Sequence, residues 1–253
     1  KNINNTFSIS LIMFVGLAIF LTSERTALFI FFIVSIAYFL ISKTKFKFML
    51  LLILLFILLF SLNPLLKSKF ITFTVLQFQD AHGSKSLIYE NKNKPSFFFY
   101  SAEHENLIYT SIKVFEENFL FGSGVKSFYH ECHKLKKNKS KELTQTKRGN
   151  KLVCSTHPHS TYFQLLSDVG IFGFLIIFIY LSYIIGTILK MLFKIKKEGR
   201  YFLSYYFANI GMLINLFPLI PSGSFFNNWI CLMISYLFGF WLFLKSKYLK
   251  ENI

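Results

Sequence analysis

The residues of this sequence best suited to chemistry are its histidines, which lie in one part of the chain. All six fall in a long polar segment between residues 63 and 159: His82, His104, His130, His133, His157 and His159. An imidazole titrates near neutral pH, so it can take a proton from an attacking hydroxyl group. Pro158 separates His157 from His159, and the residue before a proline favours an extended turn. A general base, a metal ligand and a purely structural histidine all fit this short motif.

Arg25 and Lys126 are candidate phosphate ligands. Arg25 lies in a short polar turn, residues 23–26, directly before an apolar run. A helix that begins there offers free N–H groups and a favourable dipole to an anion, and the guanidinium adds a planar set of donors. Arg25 could instead reach lipid headgroups or pair with Glu24. Lys126 follows a Gly-Ser-Gly stretch, where it could bind phosphate or simply be solvated.

The composition indicates an all-α membrane protein. Hydrophobic residues make up 53% of the 253 residues, 34 are Phe, and only 16% are charged, against about 25% in soluble domains. The apolar residues form six runs that are apolar on every helical face, as lipid-facing helices are. We predict membrane spans at Ile9–Leu21, Thr26–Ile41, Phe46–Leu62, Ile171–Phe193, Tyr201–Leu219 and Trp229–Leu244. A disordered tail is excluded, and a water-soluble globule is disfavoured.

The distribution of Lys and Arg predicts the orientation of these spans. Basic clusters at 43–47, 194–200 and 245–250 all fall on one side, which the positive-inside rule makes cytoplasmic. The net charge of +16 is thereby explained without a nucleic-acid partner. Because the chain starts at Lys1 rather than Met, we expect further spans to precede it.

Three regions follow from this topology, forming a polytopic helix bundle with one large periplasmic loop. Residues 1–62 hold three spans and a short periplasmic turn around Arg25. Residues 63–169 form the large loop with the histidines. Residues 170–253 hold three spans and a cytoplasmic tail. The protein is therefore predicted to be multi-pass, with its polar loop outside the cytoplasm.

Local features of the loop can also be predicted. Leu107–Phe119 has apolar residues at helical spacing before Gly122, which predicts an amphipathic helix near the membrane surface. Residues 134–151 are polar and of low complexity, which is typical of a mobile loop. Cys132 and Cys154 flank that stretch. A disulfide between them in an oxidising compartment would contribute roughly 3 kcal/mol, and two free thiols are the alternative.

Four stretches together resemble the O-antigen ligase and O-antigen polymerase superfamily of bacterial inner membranes. The most specific is His159-Ser160, nine residues, Gly170, two residues and Gly173, which is similar to the family signature. LTSERTA at 21–27 resembles the Ser-x-Arg turn of the family. ENFLFGSGVKSF at 117–128 resembles the segment after its external helix, and PLIPSGSFFNNW at 218–229 resembles its last external turn. The resemblance spans about residues 10–245.

The resemblance implies a GT-C-like glycosyltransferase whose active site faces the periplasm. It implies a polyprenyl-diphosphate-linked glycan as donor, a hydroxyl of lipid A–core or of another glycan as acceptor, and no metal or other cofactor. His159 matches the catalytic base, and Arg25 matches the diphosphate ligand. Where the family has a second Arg at the start of the external helix, this chain has His104, which binds phosphate best when protonated. His157 would orient His159 or bind sugar.

In this mechanism the acceptor attacks in line with the departing diphosphate, which inverts the configuration at the anomeric carbon. The same motifs fit a ligase, a polymerase that joins repeat units, and a protein-directed oligosaccharyltransferase. From another class, a transporter or a passive scaffold is also conceivable. A transporter needs ionisable residues at mid-span, and the predicted spans have almost none, which disfavours transport.

Overall fold

The computed structural model of the chain describes residues 5–22, 24–41, 46–62, 64–68, 71, 102–138, 152–193, 199–218 and 222–251. Within these ranges all regular structure is helical. The chain divides into two compact units, residues 1–82 and residues 83–253. His82 and most of the first part of the predicted external loop lie outside the described residues.

The first unit is a set of apolar helices packed through phenylalanines. Its helices are α1 (Asn5–Thr22), α2 (Arg25–Ile41), α3 (Phe46–Leu62) and the single turn α4 (Pro64–Lys67). Phe20, Phe31 and Phe56 are buried together, with ring centroids 5.1 Å apart between Phe20 and Phe56. A Cβ at Gly16 would lie 2.6 Å from the Phe31 ring, so an alanine there would displace that ring from its packing between α1 and α2.

The second unit contains five helices within the described residues. They are α5 (Ala102–Glu117), α6 (Phe128–Asn138), α7 (Thr161–Phe193), α8 (Phe202–Asn215) and α9 (Asn228–Glu251). α5 packs against α6 and α7, and α8 packs against α7 and α9. α7 and α9 are long and apolar enough to cross a membrane, and α1 and α2 contain shorter apolar stretches. The architecture is compatible with a helical membrane protein, while the six-span topology stays a prediction.

The predicted amphipathic helix is present as α5, and other parts of the protein cover its apolar face. Its buried side chains join those of α6 and the following segment in a small core of Leu107, Val114, Phe128, Leu135 and Leu152. Residues 134–138, which were expected in a mobile loop, continue α6 instead, because burial of Leu135 stabilises the helix at this point. The remainder of that predicted loop lies outside the described residues.

The predicted disulfide between Cys132 and Cys154 is confirmed. The two Cα atoms lie 5.6 Å apart, and the residues are separated by 22 positions in the sequence. The bond ties α6 to the segment that leads into the histidine motif. Beside it, the backbone N–H of Val153 donates to the Thr110 hydroxyl at 3.0 Å, which fixes the same segment to α5. The segment that leads to His157 and His159 is therefore covalently bound to α6 at its start.

α7 contains the fourth predicted span and a shorter helical part before it, and a break at Gly170 separates the two. The backbone there has φ 69° and ψ −167°, a conformation that is essentially restricted to glycine. Residues 118–124 cross the helix at this point, and the Ile171 N–H donates to the Phe119 carbonyl at 3.0 Å. A Cβ on Gly170 would lie 2.4 Å from the Leu120 carbonyl oxygen. The crossing therefore requires glycine for both its conformation and its size.

The other end of this bundle carries basic residues. Lys190 lies in the last turn of α7, and Arg200 lies just before α8. The Lys245 ammonium of α9 lies 4.6 Å from the ring centroid of Tyr183 and 5.0 Å from that of Trp241. Within the second unit, the length of the helices thus separates these cations from Gly170. The predicted orientation, with the basic residues on the cytoplasmic side, requires this separation.

We expect Gly170→Ala to lower the free energy of unfolding by about 1–3 kcal/mol, because alanine at this position is strained and collides with the Leu120 backbone. The measurement is the midpoint of thermal unfolding in detergent micelles at a fixed heating rate. Gly186→Ala is the matched control, since a Cβ on Gly186 in the same helix meets no atom within 4 Å. Equal midpoints for the two variants would contradict this account of the crossing.

Candidate active site

His159 stands at the centre of a cluster of three histidines. Its ring centroid lies 4.1 Å from that of His157 and 5.8 Å from that of His104. The His159 backbone is left-handed, with φ 54°, which is uncommon outside glycine and is often found at functional sites. The Ser222 N–H donates to the His159 carbonyl at 3.1 Å and helps to hold this conformation. In the folded chain, the His159 of this motif is thus a half-buried imidazole on a fixed backbone.

His104 comes to the cluster from the first turn of α5. The packing of α5 against α7 carries it there, because α7 begins two residues after His159. The free N–H groups and the dipole at the start of a helix favour an anion. The structure therefore brings together three of the site residues predicted from sequence, namely His104, His157 and His159.

His157 is the more enclosed member of the pair that flanks Pro158. Its Nδ1 pairs with the Thr156 hydroxyl at 3.0 Å, and its buried Nε2 has no hydrogen-bond partner of normal geometry. Burial lowers the pKa of His157, and the neighbouring His159 lowers it further, while a weak contact with the Ser222 backbone opposes both effects. His157 is thus favoured in its neutral form, and a neutral ring adds no positive charge beside His159.

The turn after α8 is fixed to the histidine segment by side chains of α7. Gln164 accepts the Phe225 N–H at 2.8 Å and donates to the Ser224 hydroxyl at 3.0 Å. Thr161 donates to the Ser222 hydroxyl at 2.9 Å. Thr161 and Gln164 are three residues apart on a helix, so both face the same side. We refer to Thr161, Gln164 and residues 222–225 as the turn clamp.

Asp168 is a structural carboxylate rather than a member of the histidine cluster. It is fully buried, and its Oδ2 accepts the Lys126 N–H at 3.1 Å and the Gln164 amide at 3.2 Å. Burial raises its pKa, and hydrogen bonds from Gln164, from the backbone of Lys126 and Phe128 and from Ser167 oppose that rise. A carboxylate that accepts backbone N–H groups at the start of α6 acts as a helix cap. Asp168 therefore connects α7 to the residues that begin α6.

The structure describes the two predicted phosphate ligands, Lys126 and Arg25, to different extents. Lys126 has its backbone N–H bound to Asp168 and a left-handed backbone with φ 62°, and its side chain is exposed. Its contact with phosphate stays a prediction. Arg25 is the first residue of α2, as the phosphate-binding argument requires, but its side chain lies outside the described part of the structure.

Sequence reasoning did not identify the turn clamp. The sequence does not indicate this role for Gln164, because a glutamine within an apolar helical pattern has no local signature of its hydrogen-bond partners. The partner turn lies 61 residues further along the chain. Among the described residues, no three His, Cys, Asp or Glu side chains are placed to hold a metal ion. The arrangement can accept a proton at an imidazole and place two further imidazoles beside an incoming polar group.

Comparison with known proteins identifies a family. The family model described as O-Antigen ligase matches residues 9–178, which is more than half of the chain. The match includes Arg25, the three clustered histidines and Gly170. No curated protein and no solved structure matches the chain.

Proposed function

Because the chain belongs to the O-antigen ligase family of membrane glycosyltransferases, we propose that it moves a glycan from a polyprenyl diphosphate to a sugar hydroxyl of lipid A–core. The reaction takes place at the outer face of the bacterial inner membrane. The observation that carries this proposal is the left-handed His159, held by Ser222 and flanked by two other histidines. An imidazole fixed in this way suits a base that must meet one hydroxyl group in one orientation.

His159 acts as the general base in this reaction. The acceptor hydroxyl gives its proton to the imidazole while its oxygen forms a bond to the anomeric carbon. The bond from that carbon to the diphosphate oxygen breaks, and its electron pair leaves with the diphosphate. A neutral His157 adds no positive charge beside the protonated His159. No acid is needed for the leaving group, because a lipid diphosphate departs as a stable anion.

Arg25 and His104 bind the donor diphosphate. Each lies in the first turn of a helix, where backbone N–H groups and the dipole add to the attraction of the side chain for an anion. Arg25 offers a planar fork of donors, and His104 adds a single N–H donor near His159. Lys126 is a further cation on the loop between α5 and α6. His157 contacts the sugar or orients His159.

The disulfide and the basic residues support an external site. Disulfides persist in oxidising compartments and are rare in the bacterial cytosol. The Cys132–Cys154 bond lies in the same chain segment as the histidines. The cations Lys190, Arg200 and Lys245 lie at the other end of α7–α9, where the positive-inside rule places the cytoplasm. Both observations favour a periplasmic histidine cluster.

We expect His159→Ala and His159→Asn each to reduce glycan transfer about 10²- to 10⁴-fold, the usual contribution of a general base. Asn tolerates a left-handed backbone, so the second variant removes the base with little strain. The measurement is transfer by purified protein in vesicles from a polyprenyl-diphosphate glycan, with lipid A–core and a second glycan unit offered in separate reactions. Extension of lipid A–core is the expected result, and extension of the glycan unit alone would identify a polymerase.

His130→Ala is the matched control, since His130 is an exposed histidine of α6 outside the cluster, and it should transfer at the wild-type rate. Formation of the Cys132–Cys154 disulfide checks that each variant is folded. Transfer near the wild-type rate by His159→Asn would remove the base assignment.

We expect Arg25→Lys to lower kcat/KM for the donor about tenfold to a hundredfold, the effect of losing one or more charge-assisted hydrogen bonds. A lysine keeps the charge but lacks the planar fork. Arg200→Lys makes the same change just before α8, at the end of the second unit that is remote from the histidines, and should leave donor use unchanged. If the two variants behave alike, Arg25 is a membrane anchor and does not bind the donor.

A further inference from the structure

The loop between α5 and α6 exposes a contiguous set of apolar side chains. The exposed fractions are 52% for Phe119, 50% for Leu120, 75% for Phe121 and 57% for Val125. Single exposed apolar residues are common on soluble surfaces, but contiguous ones usually mark a surface that contacts a partner. We call residues 119–125 the apolar loop.

Backbone hydrogen bonds fix the height of the apolar loop along α7. Because the helix is interrupted at Gly170, the first N–H groups after the break lack the partners that a continuous helix would supply. The Ile171 N–H donates to the Phe119 carbonyl at 3.0 Å, and the Phe172 N–H donates to the Leu120 carbonyl at 3.5 Å. The loop thus lies at the level of the first two residues of the apolar part of α7.

A bilayer spanned by the apolar part of α7 would have its edge near this level. The apolar part of α7, Ile171–Phe193, is about 34 Å long at 1.5 Å per residue, and the hydrocarbon core of a bilayer is about 30 Å thick. One end of the core therefore falls within about one turn of Phe172. An unpaired N–H group is costly at that depth, so the hydrogen bonds from the loop are favoured there.

Aromatic residues at the same end of the bundle agree with this depth. The Phe121 ring centroid lies 5.5 Å from that of Phe172, and Phe172 is itself exposed at the start of the apolar part of α7. Trp229, in the first turn of α9, is 76% exposed. The turn before it is fixed to α7 through Gln164. Exposed aromatic residues at a membrane boundary are typical of an interfacial belt.

We propose that the apolar loop is inserted into the phospholipid bilayer at the histidine end of the protein and anchors the α5–α6 region to the membrane. Its Phe and Leu side chains lie among the acyl chains next to the headgroups. The exposed Lys126 ammonium lies beside the phospholipid phosphates. This contact sets the height of α5 above the membrane, and with it the height of His104.

The experiment measures the depth of a nitroxide spin label in the full chain. Phe121→Cys is labelled in a Cys231→Ser background, where the Ser hydroxyl can still donate to the Phe225 carbonyl as the Cys231 thiol does. The other two cysteines form the disulfide and do not react. The protein is reconstituted in vesicles of phosphatidylethanolamine and phosphatidylglycerol that contain no polyprenyl lipid. The collision rate of the nitroxide with oxygen is compared with its collision rate with a water-soluble nickel complex.

Two matched positions calibrate the result. Ile176→Cys reports lipid, because Ile176 is 68% exposed on the apolar part of α7. Lys136→Cys reports water, because Lys136 is an exposed cation of α6. The expected result is an oxygen-to-nickel ratio at position 121 that is shifted from the Lys136 value to near the Ile176 value. A label at Val125 serves as a second reporter if substitution of Phe121 prevents folding.

A ratio at position 121 equal to that at Lys136 would overturn the proposal. Protection from nickel that appears only after addition of a polyprenyl diphosphate would also overturn it, since the loop would then be part of the donor site. Protection that appears only on addition of a soluble protein partner would contradict it in the same way.

Discussion

Contact between two stretches of backbone determines how the parts of the second unit are arranged. Residues 118–124 press against residues 167–172 so closely that neither Gly122 nor Gly170 leaves room for a Cβ. A Cβ on Gly122 would lie 2.4 Å from the Asp168 backbone, and one on Gly170 would lie 2.4 Å from the Leu120 backbone. The Ser123 and Gly124 N–H groups donate to carbonyls of residues 167 and 168, each at 2.9 Å. This crossing joins the apolar helices to the polar region that carries the histidines.

The position of the histidine cluster depends on that crossing. The break at Gly170 separates the first part of α7 from the apolar part, and the first part carries the polar residues of the turn clamp. Gln164 and Thr161 fix the turn of residues 222–225, and Ser222 in that turn fixes the backbone of His159. Asp168 connects the same helix to the start of α6. The spaced glycines of the family signature and its histidine are thus parts of one arrangement.

Much of the fold could be predicted from the sequence, because lipid imposes simple rules on the chain. The apolar runs gave the helices, and α3 has the predicted bounds of Phe46–Leu62. The disulfide followed from two cysteines in a loop placed outside the cytoplasm. Gly170 belongs to the signature recognised in the sequence, but the segment that packs against it could not be predicted from local pattern. The same holds for Gln164, whose partners become near only when α7, α8 and α9 pack. The helix α5 was predicted from its pattern, but the residues that cover its apolar face could not be, since an amphipathic helix has the same pattern whether lipid or protein covers it.

We propose that the acceptor hydroxyl, deprotonated by His159, displaces the lipid diphosphate in a single in-line step. The configuration of the new glycosidic bond, measured by NMR on the product and compared with the anomeric configuration of the donor, tests this step. We expect inversion. Retention would contradict it, because a single in-line attack on the anomeric carbon, on the side opposite the departing diphosphate, inverts that carbon.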